Sequence, residues 1–290
     1  MQYRKLGHSN ISVSTIGMGC VTFGRENDRQ TSLAIMNHAF EHGITLFDTA
    51  AAYGEGASES IVGEWLQGRN LQDQIVLATK VNGTLTRQRI VSSAEASLKR
   101  LQTDHIDLLQ THVWDESTPL EETLEALTAL VRQGKVRQVG CSNYSASQLA
   151  AALTLSDPAR LIRMVSVQPP YNLVQRDIEA DLLPLCADEN IGVISYSPLA
   201  AGFLTGKYRL DRPIPPGTRF DVVPGHQDIY LTEHGYQVLA QLDNEALTSG
   251  VSHVQQALSW VLRQTGITSV LIGARNTTQI DQALKCAEPR

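Results

Sequence analysis

The segment Ile106–Gly140, IDLLQTHVWDESTPLEETLEALTALVRQGKVRQVG, decides the fold. Its opening IDLLQ is a short, mostly apolar run, and Leu120, Leu124, Leu127, Leu130 and Val131 then recur on one face of a 3.6-residue period. A second apolar run starts at Val136. The spacing from strand to strand is about 30 residues, the length of one βα unit.

The same unit recurs along the chain. Strands are predicted at Ser14–Gly19, Ile44–Phe47, Ile75–Thr79, Ile106–Gln110, Val136–Gly140, Val165–Val167, Ile191–Ser195 and Ser269–Ile272. Several are apolar nearly throughout, as parallel strands covered by helices are. Helical spacing follows in Leu33, Met36 and Phe40, and again in Ile61, Val62, Trp65 and Leu66. The pattern predicts an α/β protein of the (β/α)8 TIM-barrel class, with a doubly wound sheet as the alternative. Residues 3–13 read as a hairpin around GHSN that plugs the bottom of the barrel. Residues 207–236, with RPIPPGTRF and VVPGH, read as a long loop after the seventh barrel strand and as a candidate lid. No linker or second core interrupts 1–290, so one domain is expected.

The 290 residues carry 24 Lys and Arg against 30 Asp and Glu, a net charge of −6. That balance disfavours a general nucleic-acid surface. No run reaches the ~18 apolar residues of a membrane span. MQYRKLGHSN lacks the apolar region of a secretory signal, and a cytoplasmic location is expected. Cys20, Cys141, Cys186 and Cys286 form no CxxC pair, and free thiols are expected.

Three local patterns fail on inspection. His38 and His42 have the spacing of a zinc-protease pair, but Ala39 stands where such a site carries its Glu, so a surface helix with no metal is expected. GFLTGKY is one residue short of a phosphate loop and has Tyr208 where Ser or Thr would hold magnesium. Gly17 and Gly19 lack the GxGxxG spacing of a Rossmann turn. Trp65 and Trp260 lie among apolar neighbours on helices and are expected to pack in the core.

The polar residues at the carboxyl ends of the strands carry the chemistry, since in a βα barrel these ends share one mouth. They are Asp48, Lys80, His112, Ser142 with Asn143, Gln168 and Tyr196, joined by Tyr53 five residues past Asp48. A free Tyr hydroxyl has a pKa near ~10 and is a slow acid at neutral pH. A lysine beside it favours the phenolate, and an acid beside the lysine keeps that lysine charged. With His112 donating to a substrate oxygen, the set suits protonation of a carbonyl oxygen as it gains negative charge. No side chain can deliver hydride, so a cofactor must.

These residues lie in DTAAAY (48–53), ATK (78–80), LLQTH (108–112), GCSNY (140–144), QPPYN (168–172), YSPLAAGFLTGK (196–207) and GARNTTQ (273–279). In order and approximate spacing the seven resemble the signatures of the aldo-keto reductases, over essentially the whole chain. The resemblance implies Tyr53 as general acid and base, with Asp48, Lys80 and His112 as its partners. It implies an extended nicotinamide cofactor, NADPH in preference to NADH. Ser142, Asn143 and Gln168 would hold the amide, and the ring would stack on Tyr196. Leu199, Gly202, Leu204 and Lys207 would line the pyrophosphate, and Gly19 and Ser197 would also bind the cofactor. Gly273, Arg275, Gln279 and Gln282 would meet the adenosine end, with Arg275 on the 2′-phosphate. Gln282 departs from the Asn frequent in similar proteins.

Phe23 and Trp114 are expected to wall an apolar pocket for a small carbonyl substrate. Asp115 and Glu116 beside Trp114 would either disfavour acidic substrates or face solvent. A rival reading is a nicotinamide-binding redox sensor, like the barrel subunits of potassium channels that this superfamily includes. A barrel glycosidase is weaker, since no second strand-end acid opposes Asp48.

Overall fold

The structure, a computed structural model, describes residues 1–157 and 160–287; the expected domain 1–290 thus includes residues 158, 159 and 288–290, which lie outside the described residues. The hairpin pairs β1 (Tyr3–Lys5) with β2 (Ser12–Ser14). The barrel strands are β3 (Ile16–Gly19), β4 (Leu46–Asp48), β5 (Val76–Val81), β6 (Ile106–Thr111), β7 (Val136–Ser142), β8 (Ser166–Gln168), β9 (Gly192–Ser195) and β10 (Ile267–Ile272). They are parallel and close in the order β10-β3-β4-β5-β6-β7-β8-β9, with β9 returning to β10. The (β/α)8 barrel expected from the repeat is therefore present, and the doubly wound sheet is not.

Outside the wall run α1 (Arg29–Glu41), α2 (Ala57–Arg69), α3 (Arg87–Leu101), α4 (Leu120–Arg132), α5 (Ala146–Leu155) and α6 (Leu182–Asp188). They are followed by α7 (Arg219–Val222), α8 (Gly225–Tyr230), α9 (Glu233–Ser249), α10 (His253–Arg263) and α11 (Thr277–Leu284). Their starts are written locally. Asp28 and Thr86 accept backbone N–H groups at the heads of α1 and α3, and Ser145 with Gln148, like Ser252 with Gln255, forms a full capping box. Trp65 is buried in the layer between strands and helices, and Trp260 packs against that layer, in keeping with the expected core roles.

The expected strand Ser14–Gly19 is broken at Thr15. The buried Ser14 hydroxyl donates to the Ile16 carbonyl and accepts from the Thr45 backbone N–H, which turns the chain from hairpin into barrel. The hairpin does plug the barrel floor. Leu6 and Val13 are fully buried in one apolar cluster with Leu46, Val76, Leu108, Val165, Ile194 and Leu271 from the strands. Gly7, at φ +56°, is needed at the hairpin turn, because a Cβ there would lie 2.4 Å from the Val165 carbonyl oxygen.

Residues 207–236 do not form a plain loop. They contain α7, α8 and the start of α9, and they hold a core of their own, in which Tyr208, Phe220 and Tyr230 are buried with Phe203 and Leu204. The Tyr208 and Phe220 rings stack at 4.0 Å. Pro and Gly mark the turns between these short helices, while the aromatic residues supply the burial that orders them.

Because Leu6 is a fully buried leucine closing the floor, Leu6→Ala is expected to lower stability by about 2–5 kcal/mol, read as a lower urea midpoint. A midpoint equal to the parent's would show that the hairpin is not part of the core.

Candidate active site

All eight strands end at one mouth, and each brings a named residue there. Gly19 ends β3, Asp48 ends β4, Lys80 is one short of the end of β5, His112 follows β6, Ser142 ends β7, Gln168 ends β8, Tyr196 follows β9 and Gly273 follows β10. Strand register sets Asp48 opposite Ala78 and Lys80 opposite Gln110. Tyr53 opens a 3-10 turn, Tyr53–Gly56, that leads directly into α2. Gly54 and Gly56, at φ +56° and +93°, make that turn tight enough to return the tyrosine over the mouth.

The ammonium of Lys80 is fully buried, and each of its three donors has an acceptor. It pairs with Asp48 and donates to the Thr49 carbonyl at 3.0 Å and to the Tyr53 hydroxyl at 3.3 Å. The second carboxylate oxygen of Asp48 accepts from Gln168 at 2.9 Å and from Gln110 at 3.1 Å. Burial works against the charge on Lys80, but Asp48 and Tyr53 outweigh it and hold its pKa above the ordinary lysine value.

Tyr53 departs from the sequence expectation. Burial is the largest influence on the phenol and raises its pKa. Lys80 lowers it as expected but does not prevail, and the net direction is upward. The hydroxyl therefore keeps its proton at neutral pH while an ammonium stands ready to stabilise the phenolate once the proton leaves. His112 packs edge-on to Tyr53 with ring centroids 5.8 Å apart. Burial, and then Lys80, push its pKa down to about 4, so it is neutral at physiological pH. Its buried Nδ1 has no hydrogen-bond partner among the described residues.

A cavity of about 700 Å3 runs from Asp48, Tyr53 and His112 past Ser142, Asn143, Gln168 and Tyr196. It continues along Ser197, Leu199, Gly202 and Lys207 to Gly273, Arg275, Gln279 and Gln282, with Gly19 on its wall. Asn143, at φ +58°, donates to the His112 carbonyl at 2.9 Å and accepts from the Tyr196 hydroxyl at 2.7 Å. Ser142 donates to the Gln168 carbonyl at 2.8 Å. At the far end Arg275 donates to the Gly217 carbonyl, tying strand β10's exit to the segment before α7. The Gln279 side chain accepts from the Arg275 backbone N–H, and Asn276 caps α11.

Three of the residues expected to wall the cavity do not face it, and Lys80 lies buried behind Tyr53 and Asp48. Phe23 is fully buried in the main core, and Val21 and Thr22 line the wall instead. Leu204 is fully buried with Phe203 and Tyr230 in the separate core of the 207–236 segment, leaving Ala201 and Thr205 at the surface of the cavity. Trp114 packs edge-on to Tyr144 at 5.0 Å, away from the lining. Asp115 also turns from the mouth. It accepts from the Leu85 backbone N–H and from Ser117 and Thr118, which hold its carboxyl well below the usual range, while Glu116 is exposed.

Two contributors were not singled out by sequence. Gln110, next to last in β6, donates to Asp48; a polar residue after the apolar pair Leu108–Leu109 is the available signal. Glu26, after β3, pairs with Arg219 of α7 at 2.9 Å across the cavity, and also with Arg25. Those partners are 193 residues apart, and no local pattern marks them.

The chain belongs to the aldo/keto reductase family, whose model matches residues 15–289. These are oxidoreductases that use a nicotinamide cofactor. Similar proteins include the aldo-keto reductase YhdN of Bacillus subtilis, 37% identical over 97% of this chain and 87% of its own length. The uncharacterized oxidoreductase YrpG of the same organism is 34% identical over 99% and 91%. A probable voltage-gated potassium channel subunit beta of Arabidopsis thaliana is 33% identical over 99% and 92%. No helix among the described residues is long and apolar enough to cross a membrane.

The state of His112 can be read directly. Ring shifts followed by NMR are expected to show it neutral down to about pH 4. Between the ordinary histidine value near ~6.5 and that point, the unfolded chain binds a proton the folded chain does not, so His112 lowers stability as pH falls through this window. A midpoint at or above 6.5 would contradict the desolvated environment.

Proposed function

We propose that this chain is a single-barrel reductase that uses NADPH to convert an aldehyde or ketone carbonyl to an alcohol. The observation that carries the reading is the continuity of one cavity, with a protonated phenol backed by a buried ammonium at one end and a group of cations at the other. Lys207, Arg219 and Arg275 meet there. Partial burial and then the Arg275 charge hold Lys207 below the ordinary lysine value, and burial and then Arg25 lower Arg219. A polyanion relieves that repulsion, so the residues fit a dinucleotide with an added phosphate. The exposed Arg275 is the proposed partner of the 2′-phosphate.

When bound, a reduced nicotinamide supplies hydride to the carbonyl carbon. The chain's own residues handle the charge that appears on oxygen. Neutral His112 and Tyr53 both offer a hydrogen bond to the carbonyl oxygen, which orients it and polarises the C=O bond. Tyr53 then gives its hydroxyl proton to the forming alkoxide, and Lys80, fixed by Asp48, stabilises the phenolate that remains. Solvent returns the proton to Tyr53. Ser142, Asn143 and Gln168 provide amide-complementary donors and acceptors beside Tyr196. The Glu26–Arg219 pair is proposed to close the cavity over the phosphates, with the segment 207–236 as its moving part.

Tyr53→Phe is expected to leave NADPH binding, followed by fluorescence, within about twofold, and to reduce aldehyde turnover by roughly 10²–10⁴. Turnover at the parent rate would remove the phenol from the mechanism. If the parent binds NADPH but reduces no aldehyde, ketone or sugar in a broad panel, the regulatory reading gains instead.

Arg275→Ala is expected to raise the NADPH dissociation constant at least tenfold, the loss of a charge-assisted contact, and NADH's by much less. Equal losses for both nucleotides would place 2′-phosphate recognition elsewhere.

A further inference from the structure

We propose that His38, His42 and Asp281 form a binding site for a divalent transition-metal ion of the zinc type, on the outer wall of the barrel and outside the mouth cavity. The spacing of the two histidines alone indicates a surface helix. The fold adds a third donor from 243 residues further on, because α1 and α11 pack side by side.

A ring nitrogen from each histidine and one carboxylate oxygen of Asp281 lie within 4.8 Å of one another. Tetrahedral zinc, with bonds of about 2.0–2.2 Å, holds its ligand atoms at separations inside that span, so side-chain rotation is enough to complete the site. His38 Nε2 sits 2.6 Å from Asp281 Oδ1, and the ring centroids of His38 and His42 are 4.2 Å apart.

A second observation concerns the tautomer. His42 Nδ1 donates to the His38 carbonyl at 2.8 Å, which leaves the lone pair on Nε2 and fixes the ring. Histidine ligands are typically held this way, by a hydrogen bond from the other ring nitrogen. Two imidazoles and one carboxylate favour zinc, copper or nickel over magnesium or calcium, whose sites are built of oxygen. His42 is exposed, while His38 and Asp281 side chains are 25% and 46% exposed, so an ion can enter and keep water on its remaining position.

Ala39 lies beside His38 where a hydrolytic site would carry a base, so the ion's role is mechanical. It pins α11, which carries Gln279 and Gln282 to the cavity, against the first barrel helix.

The test is calorimetric titration of the untagged, EDTA-treated chain with zinc sulfate, with magnesium as the control ion. One zinc per chain is expected, with a rise in melting temperature on zinc addition. His42→Gln and Asp281→Asn are each expected to weaken zinc binding at least tenfold and to abolish the rise. Their metal-free melting temperatures and circular dichroism report that they fold. Cys286→Ser is expected to bind as the parent does. No saturable binding, magnesium binding as tight as zinc, unchanged affinity in both variants, or dependence on Cys286 would each overturn the proposal.

Discussion

An ammonium buried inside a barrel is tolerated only if every one of its donors is met, and the mouth of this barrel is arranged around that constraint. Lys80 and Asp48 are both almost inaccessible to water. Asp48 takes charge from Lys80 on one oxygen and two amide donors on the other, while Lys80 spends its remaining donors on the Thr49 carbonyl and the Tyr53 hydroxyl. Such a pair adds little net stability, because desolvation of both charges offsets their attraction; removing one partner costs several kcal/mol because the other is left uncompensated. What the pair does provide is position. The phenol can sit beside a permanent positive charge only where that charge is itself pinned.

The tyrosine's side of the contact is fixed by α2. Glu59 of α2 is fully buried, accepts from the Thr79 hydroxyl at 2.5 Å and pairs with Arg100 of α3. Thr79 is the neighbour of Lys80 on β5, and α2 starts as soon as the Tyr53 turn ends. Ser58 adds a second tie, hydrogen-bonded to Thr49 at 2.8 Å and donating to the Cys20 carbonyl. Helix and strands are thus joined by buried polar contacts within a few residues of Tyr53 and Lys80, and the separation of hydroxyl and ammonium follows from that frame.

The opposite end of the cavity is built with less economy. Ser197, Ala200 and Ala201 after β9 all take positive φ, between 50° and 55°, a conformation that costs non-glycine residues of the order of 1–2 kcal/mol each. The same segment leads to Lys207, which feels the charge of Arg275, with Arg219 on the wall of the same cavity. Strain and like-charge repulsion are concentrated together at this end of the cavity, and both are features a protein retains at a functional surface rather than in a scaffold. The stable core beneath, closed by Leu6 and Val13, is what allows the mouth to carry that load.

Which parts of this were legible in the sequence follows from the geometry of a closed parallel barrel. Such a barrel turns position at a strand's carboxyl end into position at the mouth, so Asp48, Lys80, His112, Ser142, Gln168 and Tyr196 could be grouped from linear order alone. Residues beyond the strands have no such rule: the loop directions of Phe23, Leu204 and Trp114 are set by tertiary packing, and each turned into apolar surroundings instead of the cavity. Proton affinity was equally hidden, because neighbours name the charges around Tyr53 but burial decides their sum. Long-range pairs arise only on closure of the barrel: Glu26, after the first barrel strand, meets Arg219, after the seventh, and His38 of α1 meets Asp281 of α11. Closure of the barrel therefore does two things at once, converting a linear order of strand ends into one shared mouth and bringing sequence-distant side chains together on its rim and outer wall.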